Sequence, residues 1–274
     1  GANATPEDII RVRAYLGLDQ PFLVQYGVYL KNLLTGNLGT SLTTRQPILQ
    51  EIIVRLPHTL NLACSSMIVA LVIGIPTGII AAIKKDTFID NLLTTTSLAG
   101  ISIPNFWLGS MLILLFSVTL RWLPTGGMNE PFWTAVGFKQ AILPSISLGL
   151  AVAAGFTRIG RSAMLDVLQS DYIRTAKSKG IKGYKVILIH ALRNAMIPII
   201  TQFGTSFGGL LGGAIITEQV FVINGVGTYL INAINQRNYP VVQSTVLVIA
   251  AMFIIVNLIV DLVYVLIDPR ISYE

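Results

Sequence analysis

Residues 60–83, LNLACSSMIVALVIGIPTGIIAAI, contain no Asp, Glu, Lys or Arg. A helix of about 20 apolar residues crosses the hydrocarbon core of a membrane, and a charge inside that core is costly. This stretch is therefore predicted to be a transmembrane helix. Further charge-free stretches follow it along the chain, so the pattern that decides the fold is repeated.

The composition of the 274-residue chain agrees with a membrane protein and excludes several other classes. Hydrophobic residues make up 53% of the sequence, and the 12% of charged residues is about half of the roughly 25% found in soluble domains. Disordered chains are polar and rich in charge, so disorder is excluded. The single cysteine and the two distant histidines offer neither a disulfide framework nor metal-ligand spacing, so we predict no metal site and no cofactor.

Five charge-free stretches are predicted to span the membrane, which gives an all-α polytopic fold. They are residues 60–83, 92–120, 142–157, 196–217 and 241–260, the last running on to 267. The third is short and contains Pro144. Residues 219–236 are also uncharged, but Asn224-Gly225 favours a turn, so this segment is predicted to be an extracytoplasmic turn or a re-entrant piece.

The distribution of Lys and Arg predicts the orientation of the spans. Residues 158–193 hold eight Lys or Arg and two Asp, which accounts for the whole net charge of +6. Because basic residues concentrate in cytoplasmic loops, we expect this loop, Lys84 and the C-terminal tail, residues 268–274, in the cytoplasm. Residues 1–57 are then an extracytoplasmic segment with short helices. Glu218 is expected at the outer end of the fourth span, in contact with water.

This orientation requires a membrane crossing before residue 1, because a segment is translocated only behind a signal or a span. The sequence starts Gly-Ala-Asn-Ala, without an apolar run. We therefore expect an N-terminal sixth span that is missing from this chain. The membrane domain is predicted to cover residues 58–267.

Two features inside the predicted spans suggest either helix packing or the lining of a translocation path. Gly204, Gly208 and Gly212 recur every four residues, a spacing that lets helices approach closely. Pro104, followed by Asn105, is expected to kink the second span, because proline lacks a backbone donor and clashes with the preceding turn. Both roles stay open for these residues.

The basic loop has its own helical layout. Residues 161–198, RSAMLDVLQSDYIRTAKSKGIKGYKVILIHALRNAMIP, carry apolar residues near helical spacing up to Ile173. Gly180 and Gly183 interrupt the pattern, and a second helical run leads from Tyr184 into the fourth span. Such a projection can fit a groove of a cytoplasmic partner and transmit rigid-body motion. The simpler alternative is that its basic residues only fix the topology and hold anionic lipid.

The same loop resembles the ATPase-docking loop of bacterial binding-protein-dependent ABC importers. The general pattern is Glu-Ala-Ala, three residues, Gly, nine residues and Ile-x-Leu-Pro, of which Ala176 and Gly180 match. Arg174 and Thr175 depart from the pattern, as do residues 190–193, HALR. Arg-Thr-Ala and His-Ala-Leu-Arg-Asn-Ala are, however, the usual form in the dipeptide, oligopeptide and nickel branch, whose first permease subunit the chain resembles.

Other segments resemble that branch along nearly the whole chain. They are LGLDQP at 16–21, GNLGTS at 36–41, IPNFWL at 103–108, WLPTGG at 122–127, NYPVVQ at 238–243 and DPR at 268–270.

The resemblance implies a type I ABC importer permease of the bacterial inner membrane, which performs no covalent chemistry. Its implied partners are a homologous second permease that completes a heterodimer, two ABC ATPases, an extracytoplasmic substrate-binding protein and membrane lipid, without nucleic acid. Closure of the ATPases is expected to pass through the docking loop, residues 158–195, to the spans. The docking residues are expected to be Asp171, Tyr172, Ile173, Arg174, Thr175, Ala176, Lys177, Gly180, His190, Arg193 and Asn194. Tyr172, Ile173 and Ala176 are expected to supply the buried part of that contact.

The sequence leaves the identity of the substrate undecided. Dipeptides or oligopeptides are the first expectation, and nickel, a metal chelate or glutathione are the alternatives. An ion-coupled secondary transporter is disfavoured, because the sequence shows neither paired repeats nor mid-membrane charges. Motifs for intramembrane hydrolysis or nucleotide binding are also absent from the sequence, so ATP hydrolysis is assigned to partner subunits.

Overall fold

The computed structural model describes residues 5, 7, 10, 13, 14 and 17–267, with residues 213, 261 and 263–267 described in their backbone only. The tail predicted at 268–274 lies outside the described residues. The helices are α1 (Phe22–Leu34), α2 (Ile48–Ile83), α3 (Phe88–Ser102), α4 (Asn105–Leu112), α5 (Ala135–Leu168), α6 (Asp171–Ser178), α7 (Leu192–Val220), α8 (Val226–Asn235) and α9 (Tyr239–Ile267). Two π-helical segments, Ile113–Thr119 and Val186–Ala191, follow α4 and precede α7.

The pair formed by α2 and α5 is the centre of the fold. Gly74 and Gly78 of α2 lie so close to α5 that a Cβ atom on either glycine would fall 2.6 or 2.7 Å from a backbone carbonyl oxygen. The hydroxyl groups of Thr77 and Thr157 hydrogen-bond across the same contact at 2.6 Å. Small residues let the two backbones approach, as is common between membrane helices. We call this contact the α2–α5 seam.

A buried apolar cluster joins the α2–α5 seam to α7. It includes Leu62 of α2, Leu143 and Phe156 of α5, and Ile199 and Leu210 of α7. Helix α9 packs on α7 and exposes much of its apolar surface, including Ile254 and Leu258. An exposed apolar face of this kind is suited to lipid or to another membrane helix.

Among the described residues, four helices are long and apolar enough to cross a membrane, and a bent pair makes five spans if it is counted as one. The predicted all-α polytopic fold is therefore confirmed. The second predicted span, 92–120, is not one continuous helix, because α3 and the helix Asn105–Thr119 meet at 99°. The break falls at Pro104, whose extended backbone precedes α4. At Pro104 the helix is therefore interrupted rather than kinked.

Two helices extend beyond the predicted spans. Helix α2 begins at Ile48, so the predicted domain boundary between 57 and 58 falls inside a continuous helix. Helix α5 likewise continues through residue 158, where the docking loop was expected to start. A charge-free window finds the part of a helix suited to hydrocarbon, whereas the helix itself continues through charged residues such as Arg55 and Arg161.

Candidate functional site

Helix α6 is attached to the rest of the molecule by its apolar face. Ile173 is fully buried and Ala176 is 8% exposed. They belong to one apolar cluster with Ala82 at the end of α2, Met164 near the end of α5 and Ala191 just before α7. The expectation that Ile173 and Ala176 make a buried contact with a partner is therefore corrected, because this chain itself covers both side chains. Periodicity identified the apolar face of α6 but not what covers it.

The end of α6 is fixed by a glycine turn. Gly180 has a φ of +73°, which favours glycine, and its N–H donates to the carbonyl of Lys177 at 3.0 Å. The N–H of Ile181 reaches back to the carbonyl of Ala176 at 3.4 Å. These two bonds form a Schellman motif, which satisfies carbonyl groups that the helix end would otherwise leave unpaired.

The opposite face of α6 is polar and exposed. The Arg174 guanidinium lies 3.5 Å from the Asp171 carboxylate, and both side chains are largely in solvent. The Tyr172 hydroxyl accepts a hydrogen bond from Asn194 Nδ2 at 2.7 Å, which links α6 to the start of α7. The remaining predicted docking residues are near this face or this link: Thr175, Lys177, Gly180 and Arg193 are exposed, and His190 is half-buried.

An ion pair with a buried carboxylate lies close to this end of the α2–α5 seam. Arg161 of α5 donates from Nε and Nη2 to the two carboxylate oxygens of Asp90, each at 2.7 Å. The Asp90 side chain is 3% exposed, and its Oδ2 also accepts from the N–H of Asp86 at 3.0 Å. Two parallel charge-assisted bonds fix both distance and orientation. The pair therefore fastens α3 to α5.

A second organised region lies at the other end of α2, around Glu218 of α7. Glu218 is fully buried, so the expectation that water reaches it is wrong. Its Oε1 accepts from the Thr59 hydroxyl at 2.7 Å, and its Oε2 accepts from the N–H of Thr228 at 2.8 Å. The Thr59 oxygen in turn accepts from the N–H of Val226 at 2.9 Å. Glu218 and Thr59 together cap the first turn of α8, whose N–H groups lack helical partners.

The glycines of the turn before α8 make room for this carboxyl group. A Cβ atom on Gly225 would fall 2.3 Å from Glu218 Oε1, and one on Gly227 would fall 2.7 Å from the Cα of Ile215. The segment predicted as a turn or re-entrant piece is thus a short turn followed by α8. We call Thr59, Glu218 and the first turn of α8 the Glu218 cap.

The predicted pathway or packing residues separate into two groups. A Cβ atom on Gly204 would fall 2.4 Å from Val260 and one on Gly208 would fall 2.8 Å from Phe253, so both glycines pack against α9. Gly212 has nothing within 4 Å of its Cβ position, and it lines an open apolar groove between α7 and α9.

Pro104 and Asn105 lie at the break between α3 and α4. The carbonyl of Asn105 accepts from the Ser147 hydroxyl at 2.7 Å, so the break is held against α5.

Several residues that hold helices together in the structure are not predicted by the sequence. Asp90 and Arg161 are 71 positions apart, and Thr59 and Glu218 are 159 apart, so no local pattern connects them. Gly74 and Gly78 could have been found, because they have the same four-residue spacing as the glycines of α7.

These features define a class of protein. A bundle of membrane-crossing helices carries an attached helix at one end and a carboxyl-capped helix at the other. Over the described residues, no group of three or more His, Cys, Asp or Glu side chains is placed to hold a metal ion. The arrangement is that of a polytopic membrane protein with an amphipathic helix attached at one end.

Comparison with known proteins assigns the family. Residues 74–273 match the family described as "Binding-protein-dependent transport system inner membrane component", and residues 1–63 match its N-terminal family. The chain belongs to this family, as the resemblance predicted. It is therefore a non-catalytic permease subunit of an ABC importer and a multi-pass protein of the inner membrane. Membership implies a binding protein and an ATPase as partners.

Two relatives agree with the assignment, and a solved structure shares the fold. The dipeptide transport system permease protein DppB of Alkalihalophilus pseudofirmus is 44% identical, with 100% of this chain and 88% of the relative covered. The glutathione transport system permease protein GsiC of Escherichia coli K12 is also 44% identical, with 100% and 87% covered. An inward-facing structure of the MetNI methionine ABC transporter shares the fold, with a TM-score of 0.66, 16% identity and 81% of this chain and 98% of that chain covered.

Proposed function

We propose that this chain forms half of a heterodimeric translocation pathway for short peptides and takes its motion from two partner ATPases through α6. The observation that carries the proposal is the two-faced character of α6. Its apolar face is buried against the ends of α2 and α5, while its polar face is exposed. A helix held in this way can receive a partner on one side and move two spans on the other. The predicted docking residues Tyr172, Arg174 and Lys177 are on the receiving side.

The proposed orientation follows from the basic residues around α6. Because such residues favour the cytoplasmic side, α6 and the C-terminus face the cytoplasm and the Glu218 cap faces outward. In this orientation the exchange between inward-facing and outward-facing states opens the pathway alternately to each side.

Charge reversal on α6 tests the docking role. Replacing Arg174→Glu and Lys177→Glu together should lower the amount of ATPase subunit that copurifies about fivefold. Exposed ion pairs are each worth about 0.2–1 kcal/mol, and reversal adds repulsion to the lost attraction. The fold should be unaffected, because both side chains are in solvent.

The matched control is Lys84→Glu with Lys85→Glu, a pair of exposed lysines on the same proposed side between α2 and α3. This variant should retain the ATPase. Equal retention by both double variants would contradict docking on α6 and favour a purely topological role for the charges.

The substrate proposal is drawn from the relatives. We place dipeptides or oligopeptides first, since relatives at 43–44% identity include dipeptide, di/tripeptide and glutathione permeases. Glutathione is itself a peptide, so these names share a chemical class. Nickel or a metal chelate is the alternative.

A titration of the system's binding protein decides among these substrates. We expect calorimetry to give a Kd of about 1 µM or lower for a dipeptide such as Ala-Phe, and binding at least about tenfold weaker for glutathione and for Ni²⁺. Each tenfold step corresponds to about 1.4 kcal/mol of binding free energy. Tight binding of Ni²⁺ alone would replace peptides with the metal alternative.

A further inference from the structure

Helix α3 buries little apolar surface against the rest of the chain. Of its 15 residues, all of which the structure describes, only Asp90 is buried. Its large apolar side chains are exposed, among them Phe88, Leu92 and Leu98. Burial of apolar surface is the main force that fixes one element against another, and α3 has little of it. The carboxylate of Asp90 is therefore the main fixed point at the start of α3.

The bonds of the Asp90 carboxylate hold three pieces of the chain together. Besides the two bonds from Arg161 of α5, its Oδ1 accepts from the Thr94 hydroxyl at 3.3 Å. Its Oδ2 accepts from the N–H of Asp86, which is in the turn between α2 and α3 and has a φ of +61°. The carboxylate thus joins this turn, the first turn of α3 and α5.

The part of α5 that carries Arg161 also holds α6. Met164, three residues after Arg161, belongs to the same apolar cluster as Ile173 and Ala176 of α6. Three residues of an α-helix correspond to about 4.5 Å along its axis. A displacement of α6 is therefore expected to move Arg161 with it, and with Arg161 the carboxylate of α3.

The other end of α3 is the break at Pro104. There α3 and the helix Asn105–Thr119 meet at 99°. Beyond the break, the carbonyl of Asn105 is fixed to α5 by the Ser147 hydroxyl. Hinges consist of a few residues at the ends of elements, which absorb a change of backbone angles. Helix α3 is thus a separate arm, tied to α5 by an ion pair at its start and joined to α4 by a hinge.

An ion pair offers a fixed orientation that apolar packing does not. Taking charges out of water costs free energy that their attraction only partly returns, so apolar residues of similar volume often hold two helices at least as firmly. Two parallel N–H···O bonds, however, set both a distance and a direction. The Asp90–Arg161 pair is therefore better suited to orienting α3 on α5 than to stabilising the fold.

We propose that the Asp90–Arg161 pair makes α3 follow α5 when the ATPases displace α6, and thereby keeps ATP hydrolysis coupled to transport. The proposal rests on the proposed function, in which α6 receives the ATPases. Asp90 and Arg161 are positioning residues, because they act through the helices that carry them. Without the pair, α6 still moves α5, but α3 is no longer carried along, so ATP is hydrolysed without a matching movement of substrate.

The first test replaces the pair with apolar residues in the complete transporter, reconstituted in proteoliposomes with its second permease, ATPases and binding protein. For Asp90→Leu with Arg161→Leu we expect the ATP hydrolysed per Ala-Phe taken up to rise about fivefold. The unfolding midpoint should not fall by more than about 3 °C, because leucines replace a largely desolvated pair. A purely structural role predicts the reverse, a lower midpoint with an unchanged ratio. Arg161→Lys keeps the charge without the two parallel bonds, so its ratio should be intermediate.

Arg13→Leu with Asp19→Leu is the matched control. These changes remove the same two types of side chain from an ion pair with an N–O distance of 3.5 Å, in which both side chains are more than half exposed. The pair lies before α1 in the chain. Because exposed pairs contribute little, the ratio of ATP to Ala-Phe should stay within about twofold of wild type.

A second measurement keeps the Asp90–Arg161 pair intact, so it decides the question even if the double leucine variant does not fold. Spin labels are attached to Leu98→Cys in α3 and Asp166→Cys in α5, two exposed positions, with Cys64→Ala to remove the native cysteine. The distance between the labels should change by less than about 3 Å between the nucleotide-free and the ATP-bound transporter, since a helix that slips past its neighbour moves by about 5.4 Å.

The outcomes distinguish the proposal from the proposed function. A ratio that rises in the double leucine variant but not in the control, with a constant label distance, supports the proposal. An unchanged ratio in the folded variant, an equal rise in the control, loss of the ATPase subunits on purification, or a label distance that changes by more than about 3 Å overturns it. If the wild-type transporter shows no ATP-dependent uptake of peptide, the proposed function itself fails.

Discussion

Replacing Glu218→Ala is expected to lower the stability of the protein by about 3 kcal/mol and to abolish most transport. The change leaves the buried Thr59 hydroxyl and the partly buried Thr228 N–H without their acceptor. Each buried unsatisfied group costs about 1–3 kcal/mol. Because the Glu218 cap joins α2, α7 and α8, the loss also frees α8 from its position. The measurement is the thermal unfolding midpoint of the purified subunit complex, together with uptake in proteoliposomes.

Two further variants serve as controls for Glu218→Ala. Glu218→Gln keeps one carbonyl oxygen but turns an NH₂ group toward a donor, so its midpoint should fall between those of wild type and Glu218→Ala. Glu130→Ala removes an exposed carboxylate whose Oε2 accepts from the Thr134 hydroxyl, and it should cost less than about 0.5 kcal/mol. Equal midpoints for Glu218→Ala and Glu130→Ala would show that the Glu218 cap does not stabilise the fold.

Replacing Gly78→Ala is expected to destabilise the α2–α5 seam by about 3 kcal/mol. The added Cβ would lie 2.7 Å from the carbonyl oxygen of Thr157 and 3.1 Å from the N–H nitrogen of Arg161. Both are backbone atoms of a long helix, so the helices must separate, and overpacking of this kind costs about 1–3 kcal/mol or more. The separation should also weaken the Thr77–Thr157 hydrogen bond. The measurement is again the unfolding midpoint.

Gly160→Ala is the matched control for the seam, and it should not lower the stability of the protein. Gly160 is on α5, and the nearest atom to its Cβ position is Ile199 Cδ1 at an ordinary 3.8 Å. Alanine in a helix is favoured over glycine by about 0.5–1 kcal/mol, so this variant should be as stable as wild type or slightly more. A loss of stability equal to that of Gly78→Ala would contradict the steric explanation.

The sequence predicts the membrane-spanning elements well, because the requirement for about 20 apolar residues is strong and local. The stretches at 60–83 and 241–260 both lie inside helices of the structure. The helical layout around α6 is also predictable from the sequence, since Gly180 marks the end of that helix within one turn. The ends of the helices are not predictable from the sequence in this way, because a helix continues past the hydrocarbon core without any break in backbone hydrogen bonding.

The parts that the sequence did not predict depend on contacts between distant residues. No residue near Glu218 in the sequence indicates that Thr59 is its partner. A carboxyl group at the end of a span is expected to contact water, and only the position of α8 shows that Glu218 is covered. The role of Ile173 was missed for a similar reason. Its apolar character predicted burial, but whether this chain or a partner covers it depends on where the ends of α2 and α5 lie.

The attachment of α6 sets how displacement travels through the molecule. Ile173 and Ala176 share one apolar cluster with residues from α2, from α5 and from the start of α7. Close-packed interiors have low compressibility, so a shift of α6 is passed on with little loss. Since α2 and α5 are in backbone contact at Gly74 and Gly78, they follow as one piece. A displacement of α6 is therefore expected to move the adjoining ends of α2, α5 and α7 together.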